Sequence, residues 1–184
     1  MLLDKNIIKN LCDRTDAKLR YAVIYNDELH KIGINGFDID RAHQESFLFH
    51  LMGAKDSFLL ELNYYYNINL PDNNVTSKRL QETLEKKGLK SLELNELNAL
   101  ENENNSWLFN AKEMRDHATH RANVPRVVNF GSKKDTEVWL RNPKTGINIE
   151  RHFIYEFDEW ILNMKTLLER LRLSALKQNN FTMT

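Results

Sequence analysis

Cysteine occurs once in 184 residues, proline three times and glycine six times. A single cysteine, Cys12, excludes a disulfide framework and a cysteine-built zinc site within one chain, and a reducing cytoplasm fits it best. The rarity of glycine and proline, against abundant leucine, lysine, glutamate and asparagine, favours few and long helices. Net charge is missing too: 26 basic side chains balance 26 acidic ones. No global field therefore argues for DNA, anionic lipid or a strongly acidic partner, and any nucleic-acid site must be local. No apolar run approaches the length of a membrane span, and charges interrupt "MLLDKNIIKNLCDRTD" every few residues, which does not suit a secretory core. The expectation is a soluble cytoplasmic protein with no membrane partner, of a length suited to one domain covering 1–184.

The spacing of apolar residues predicts the elements. Ile8, Leu11, Thr15, Leu19, Ala22 and Leu29 recur at helical steps and define a first helix over about 5–30. Asp38 or Asp40 is the expected cap of a second, about 41–67, whose inner face carries Phe47, Leu51, Ala54, Phe58, Leu62 and Tyr65. A shorter helix over about 77–88 ends at Gly88 as the residue past the cap, and a long fourth helix carries Leu97, Leu100, Trp107, Ala111, Met114 and Ala118 to a terminus near 121. After Pro125, Val127, Val128 and Phe130, then Val138 and Leu140, then Ile147, Ile149 and His152 mark two or three short strands around Gly131 and "NPKTG". Helical spacing returns over about 154–177, and the polar tail "KQNNFTMT" is expected to fray. The fold class expected is mainly α: an up-and-down bundle of four principal helices plus one short helix, with a small β-hairpin excursion over about 126–153 before the last helix.

The chemistry concentrates in "NAKEMRDHATHRANV", residues 110–124. Arginine presents a rigid fork of donors matched to phosphate oxygens, and histidine exchanges protons near neutrality. Together they suffice to cleave RNA without a metal or other cofactor: the histidine acts on the 2′-hydroxyl or the leaving oxygen, while the arginine stabilises charge gathering on the phosphate. Arg115, Asp116 and His120 form such a set. Five residues of ideal helix separate Arg115 from His120 by about 140° net, so the two converge only if the last turn loosens or a second copy supplies the missing half. The competing reading of these charges is a solvated helix face with a dipole-favoured histidine at its end.

The run Arg115-Asp116-x-x-x-His120 resembles the R-x(4-6)-H signature of the HEPN family, the higher eukaryotes and prokaryotes nucleotide-binding domains. The resemblance covers roughly residues 40–122. It implies a metal-independent endoribonuclease, often a toxin or defence effector with a cognate antitoxin, whose two motifs meet across a homodimer. Arg115 is then the phosphate-binding arginine, His120 the catalytic histidine and Asp116 the orienting polar residue, where asparagine is the more familiar occupant. A noncatalytic interaction or nucleotide-binding module of the same family is the second reading.

Other side chains have both a functional and a bland reading. Arg41 and His43 offer a second phosphate contact at the start of the second helix, and His50 and His117 join the site if they face Arg115. Four imidazoles at 43, 50, 117 and 120 could alternatively meet in a bundle interior around a transition metal, a third reading, although Glu-x-x-His pairs of the di-iron type are absent. His43 and His50 border the apolar stripe, where packing is the commoner role. The tyrosines of "NYYYN" suggest base stacking but point three ways from a helix, which favours structural use. Lys133, Lys134, Arg141 and Lys144 place positive charge on the hairpin, diluted by Asp135 and Glu137.

Overall fold

A computed structural model describes residues 4–33, 37–120, 123–129 and 137–178. The carboxylate of Asp4 accepts from the N–H groups of Asn6 and Ile7 and so opens helix α1, Lys5–Ile32, which Gly33 closes at φ 63° by donating to the Leu29 carbonyl. Helix α2 spans Phe37–Tyr65. A single 3-10 turn, Asp72–Asn74, leads to α3, Ser77–Lys86, whose start is capped by the Thr76 hydroxyl. Gly88, at φ 68°, lies where the sequence predicts it, and its N–H and that of Leu89 return to the carbonyls of Glu85 and Leu84, a Schellman ending. Strands β1, Arg126–Asn129, β2, Glu137–Arg141, and β3, Asn148–His152, form one antiparallel sheet in the order β1-β2-β3. The last helix, α6, is Phe153–Gln178.

The expected long fourth helix is two helices, α4, Leu92–Asn102, and α5, Trp107–His120. The seven-residue step from Leu100 to Trp107 keeps helical phase across the break, which is why the stripe reads as continuous. The interruption lies in "ENENNS": Asn105 adopts φ 74°, a conformation asparagine tolerates, and Ser106 accepts from Phe109 N–H at 3.0 Å to start α5 afresh. Asp38 and Asp40 also depart from expectation, since both lie inside the first turn of α2. Asp40 is fully buried and binds Arg126 of β1 at 2.8 Å. Phe130, Gly131, Lys133, Lys134, Asp135, Arg121 and the tail from 179 lie outside the described residues.

Helix α1 packs on α2 and α6, and α5 packs on α2, α4 and α6, so α1, α2, α5 and α6 make a four-helix bundle in cyclic order with the sheet at one end of α6. Phe47, Phe58, Phe153, Phe157 and Trp160 fill its centre, with Phe47 stacked on Phe157 at 4.0 Å between ring centres. The three tyrosines of "NYYYN" are structural. Tyr64 accepts from Asp4 N–H at 2.8 Å, Tyr65 donates to Glu61 at 2.9 Å, and the Tyr66 hydroxyl lies 2.6 Å from Glu93 Oε2. No helix among the described residues is long and apolar enough to cross a membrane.

Polar anchors cross this apolar centre. Glu61 of α2, fully buried, accepts from Arg172 of α6 through Nε at 2.8 Å and Nη2 at 2.9 Å, and from Thr15 of α1 at 2.6 Å. Removing one partner strands the other charge away from water. Arg172→Met alone is expected to lower the unfolding free energy by about 3–5 kcal/mol, and adding Glu61→Met to recover most of that loss. Denaturant titration of both variants checks this; equal losses would contradict it.

Candidate functional site

Arg115, Asp116, His117 and His120 ride on the last two turns of α5, which stay α-helical through His120. The Thr119 hydroxyl donates to the Arg115 carbonyl at 2.8 Å, and no loosened turn swings the motif onto one face. Arg115 and His120 therefore open into different clefts. Arg115 faces α2, in a cleft of about 370 Å³ lined by Glu45, Ser46, Phe49, His50, Ala118 and Thr119. His120 and His117 face the β2–β3 turn, in a cleft of about 380 Å³ shared with Glu113, Asp116, Pro143 and Lys144.

Asp116 links the two. It lines the histidine cleft, and its Oδ1 accepts from Arg115 Nε at 2.7 Å. Arg115 Nη1 lies 3.5 Å from Asp56 Oδ2, Asp56 also takes Lys55 at 3.1 Å, and buried Lys55 binds buried Glu101 of α4 at 2.6 Å. A ladder of alternating charge thus runs from α4 through α2 to the motif. It fixes the guanidinium, whose Nη2 makes no hydrogen bond among the described residues and remains a free donor. Sequence patterning missed Lys55, Asp56 and Glu101, although two charges on the otherwise apolar inner stretch of α2 are the signal that could have found them.

Of the accessory residues, His50 joins Arg115's cleft and His117 joins His120's. His43 and Arg41 line neither cleft. The His43 ring lies 5.7 Å from that of Tyr25, and buried polar atoms of both His43 and Arg41 lack a partner. His50 stacks on Tyr25 at 5.4 Å and 8°, and meets Tyr21 edge-on at 5.2 Å. Burial, and then the charge of Lys18, hold its pKa below the ordinary 6.5. The imidazole facing Arg115 is accordingly a free base at neutral pH.

The four imidazoles at 43, 50, 117 and 120 do not converge, and among the described residues no group of three or more histidine, cysteine, aspartate or glutamate side chains is placed to hold a metal. Burial and the neighbouring Glu61 push the Cys12 thiol up to about 11, which disfavours the nucleophilic thiolate. On the hairpin, Arg141 Nε is spent on the Gly146 carbonyl at 3.0 Å, whereas Lys144 reaches Glu113 at 3.0 Å and sits over Phe109. Lys133 and Lys134 lie outside the described residues. A cleft of about 520 Å³ between α1 and α6, walled mainly by apolar side chains, contains none of the candidate residues, whose arginine, carboxylates and histidines gather instead along α5. No family model matches the chain, and no curated protein or solved structure matches it.

His50 makes stability pH-dependent in a definite direction. Its folded pKa lies below 6.5, as does that of His152, which is lowered first by burial. On acidification the unfolded chain takes up these protons before the folded one, so stability is present above about 6.5 and lost as pH falls below it. The thermal midpoint should drop between pH values of about 7.5 and 5.5, and His50→Phe should flatten the drop. A midpoint constant over that range, followed by circular dichroism, would contradict the burial of these imidazoles.

Proposed function

We propose that this protein is a HEPN-like RNA-binding protein and a metal-independent endoribonuclease of the toxin or defence type, with its active site completed by a second copy of the chain. The observation carrying the proposal is the side-chain bond from Arg115 to Asp116, with Asp116 reaching into the cleft of His117 and His120. It couples a phosphate-binding fork to a proton-exchanging pair through one carboxylate, the arrangement in-line transfer needs. Arg115 binds the scissile phosphate, His120 moves the proton, and Asp116 orients the guanidinium. Because the arginine and the terminal histidine open into separate clefts, the reading requires a homodimer in which the arginine of one copy approaches the histidine of the other.

The same separation favours a second reading, a noncatalytic HEPN-like module that binds RNA, a nucleotide or a partner protein such as an antitoxin. Cleavage distinguishes the two. The purified chain is expected to cut single-stranded RNA in the presence of a chelator, and Arg115→Ala and His120→Ala are each expected to slow it by about 100-fold or more with the helical spectrum intact. Cutting that survives in both variants would exclude the ribonuclease reading, and binding without cutting would establish the module.

A further inference from the structure

The seam between α5 and the β2–β3 hairpin does not end at the histidine cleft. Toward the start of α5 it opens again into a cleft of about 260 Å³ lined by Trp107, Asn110, Ile147, Asn148, Ile149 and Glu156, with Asn105 at its edge. Between the two clefts the hairpin is pinned to the helix by buried Asn142, which donates to Asn110 at 2.6 Å while its own oxygen accepts from Lys144 and Thr145 N–H. Trp107 and His120 bound a stretch of helix about 20 Å long, a distance a few nucleotides span.

The inner cleft is small, near the lower limit of ordinary ligand pockets and suited to one ring system. Its polar groups are of particular kinds. Trp139 and Trp160 both have their indole N–H bonded, to Glu137 at 3.0 Å and to Glu156 at 2.7 Å, whereas that of Trp107 bonds nothing among the described residues. Trp107 packs in part against the core and, half-buried, lines the cleft with the rest of its indole, which carries an unused donor. Glu156 is oriented by its bond from the fully buried Trp160, which engages Oε1 and leaves Oε2 without a hydrogen bond among the described residues. A fixed carboxylate accepts two parallel N–H donors. Asn148 supplies an exposed amide, and Ile147 and Ile149 an apolar wall.

We infer that this cleft is a nucleobase subsite for guanine in single-stranded RNA, with the base stacked on Trp107 and its Watson–Crick edge on Glu156. Guanine alone among the four bases presents two adjacent N–H donors on that edge. Adenine and cytosine place an acceptor beside their amino group, and uracil flanks its single N–H with two carbonyls, so each sets an oxygen or a bare nitrogen against the carboxylate. The unpaired acceptor is the discriminating feature, as stacking alone tolerates every base. The strand then runs along the seam past Lys144 toward His117 and His120. The inference names the substrate of the proposed ribonuclease and rests on that reading for the strand, while the base site stands on its own geometry.

The full chain labelled with nitrogen-15 reports on the site through its tryptophan indole signals, read as GMP, AMP, CMP and UMP are added in turn. GMP is expected to shift the Trp107 and Trp160 signals saturably and the other three nucleotides to leave them nearly unmoved. Glu156→Gln, which keeps an acceptor for Trp160, is expected to weaken GMP about tenfold or more, and Trp107→Leu to weaken it comparably. Four nucleotides acting alike, a Trp107 signal indifferent to GMP, or undiminished binding in Glu156→Gln would overturn the inference. RNA cutting without any GMP shift would remove this subsite and leave the ribonuclease; a selective GMP shift without RNA cutting would do the reverse.

Discussion

Glu61 is a carboxylate with no access to water, and Arg172 meets it with two hydrogen bonds while Thr15 and Tyr65 donate to it as well. Those partners come from α1, α2 and α6, so the bond sets the register of three helices at once. Two further buried carboxylates repeat the device. Glu93 takes Ser91, Tyr66, Ser174 and Gln178, fastening the start of α4 to the ends of α2 and α6. Glu101 takes Lys55, fastening the end of α4 to α2. Apolar packing alone would tolerate slippage among long helices; these hydrogen-bonded carboxyl groups do not.

The candidate site residues depend on the same framework. Lys55 holds Asp56, Asp56 faces Arg115, and Arg115 binds Asp116, so the guanidinium is the outermost rung of a ladder rooted in the α2–α4 contact. On the other flank of α5 the hairpin supplies a wall, with Pro143 and Lys144 beside the histidines and Asn142 locking the turn to the helix. On the proposed reading, a helix carrying the phosphate-binding arginine on one flank and the histidines on the other needs a second copy to complete the site. In that dimer the two helices would complement each other, and within one chain the hairpin shapes the histidine side of α5 and extends it toward Trp107.

Much of this was legible as periodicity. The stripes through α1, α2 and α6 coincide with buried Ala22, Leu29, Phe47, Leu51, Phe58, Phe157, Trp160 and Leu171, and Gly88 marks its helix end because no other residue adopts its backbone so readily. What stayed hidden was polar and long-range. Glu61, Glu93 and Glu101 carry no mark of burial in the sequence, since burial of an acid depends on donors as far as 111 residues away. Asp40 read as a cap, and its arginine partner lies 86 residues on. The break between α4 and α5 was masked by a step that preserves phase. At the site, the 140° between Arg115 and His120 follows from helix geometry, but which flank meets α2 and which meets the hairpin comes only from tertiary packing.

The proposed active site takes its arginine from one chain and its histidine from another, and subunit mixing reveals whether it does. Arg115→Ala keeps an intact His120, and His120→Ala keeps an intact Arg115. Each alone is inactive on this account, while co-refolding the two as a mixed dimer restores RNA cleavage, because one composite site regains both groups. A mixed dimer that demonstrably forms and yet remains as inactive as its parents would contradict the account.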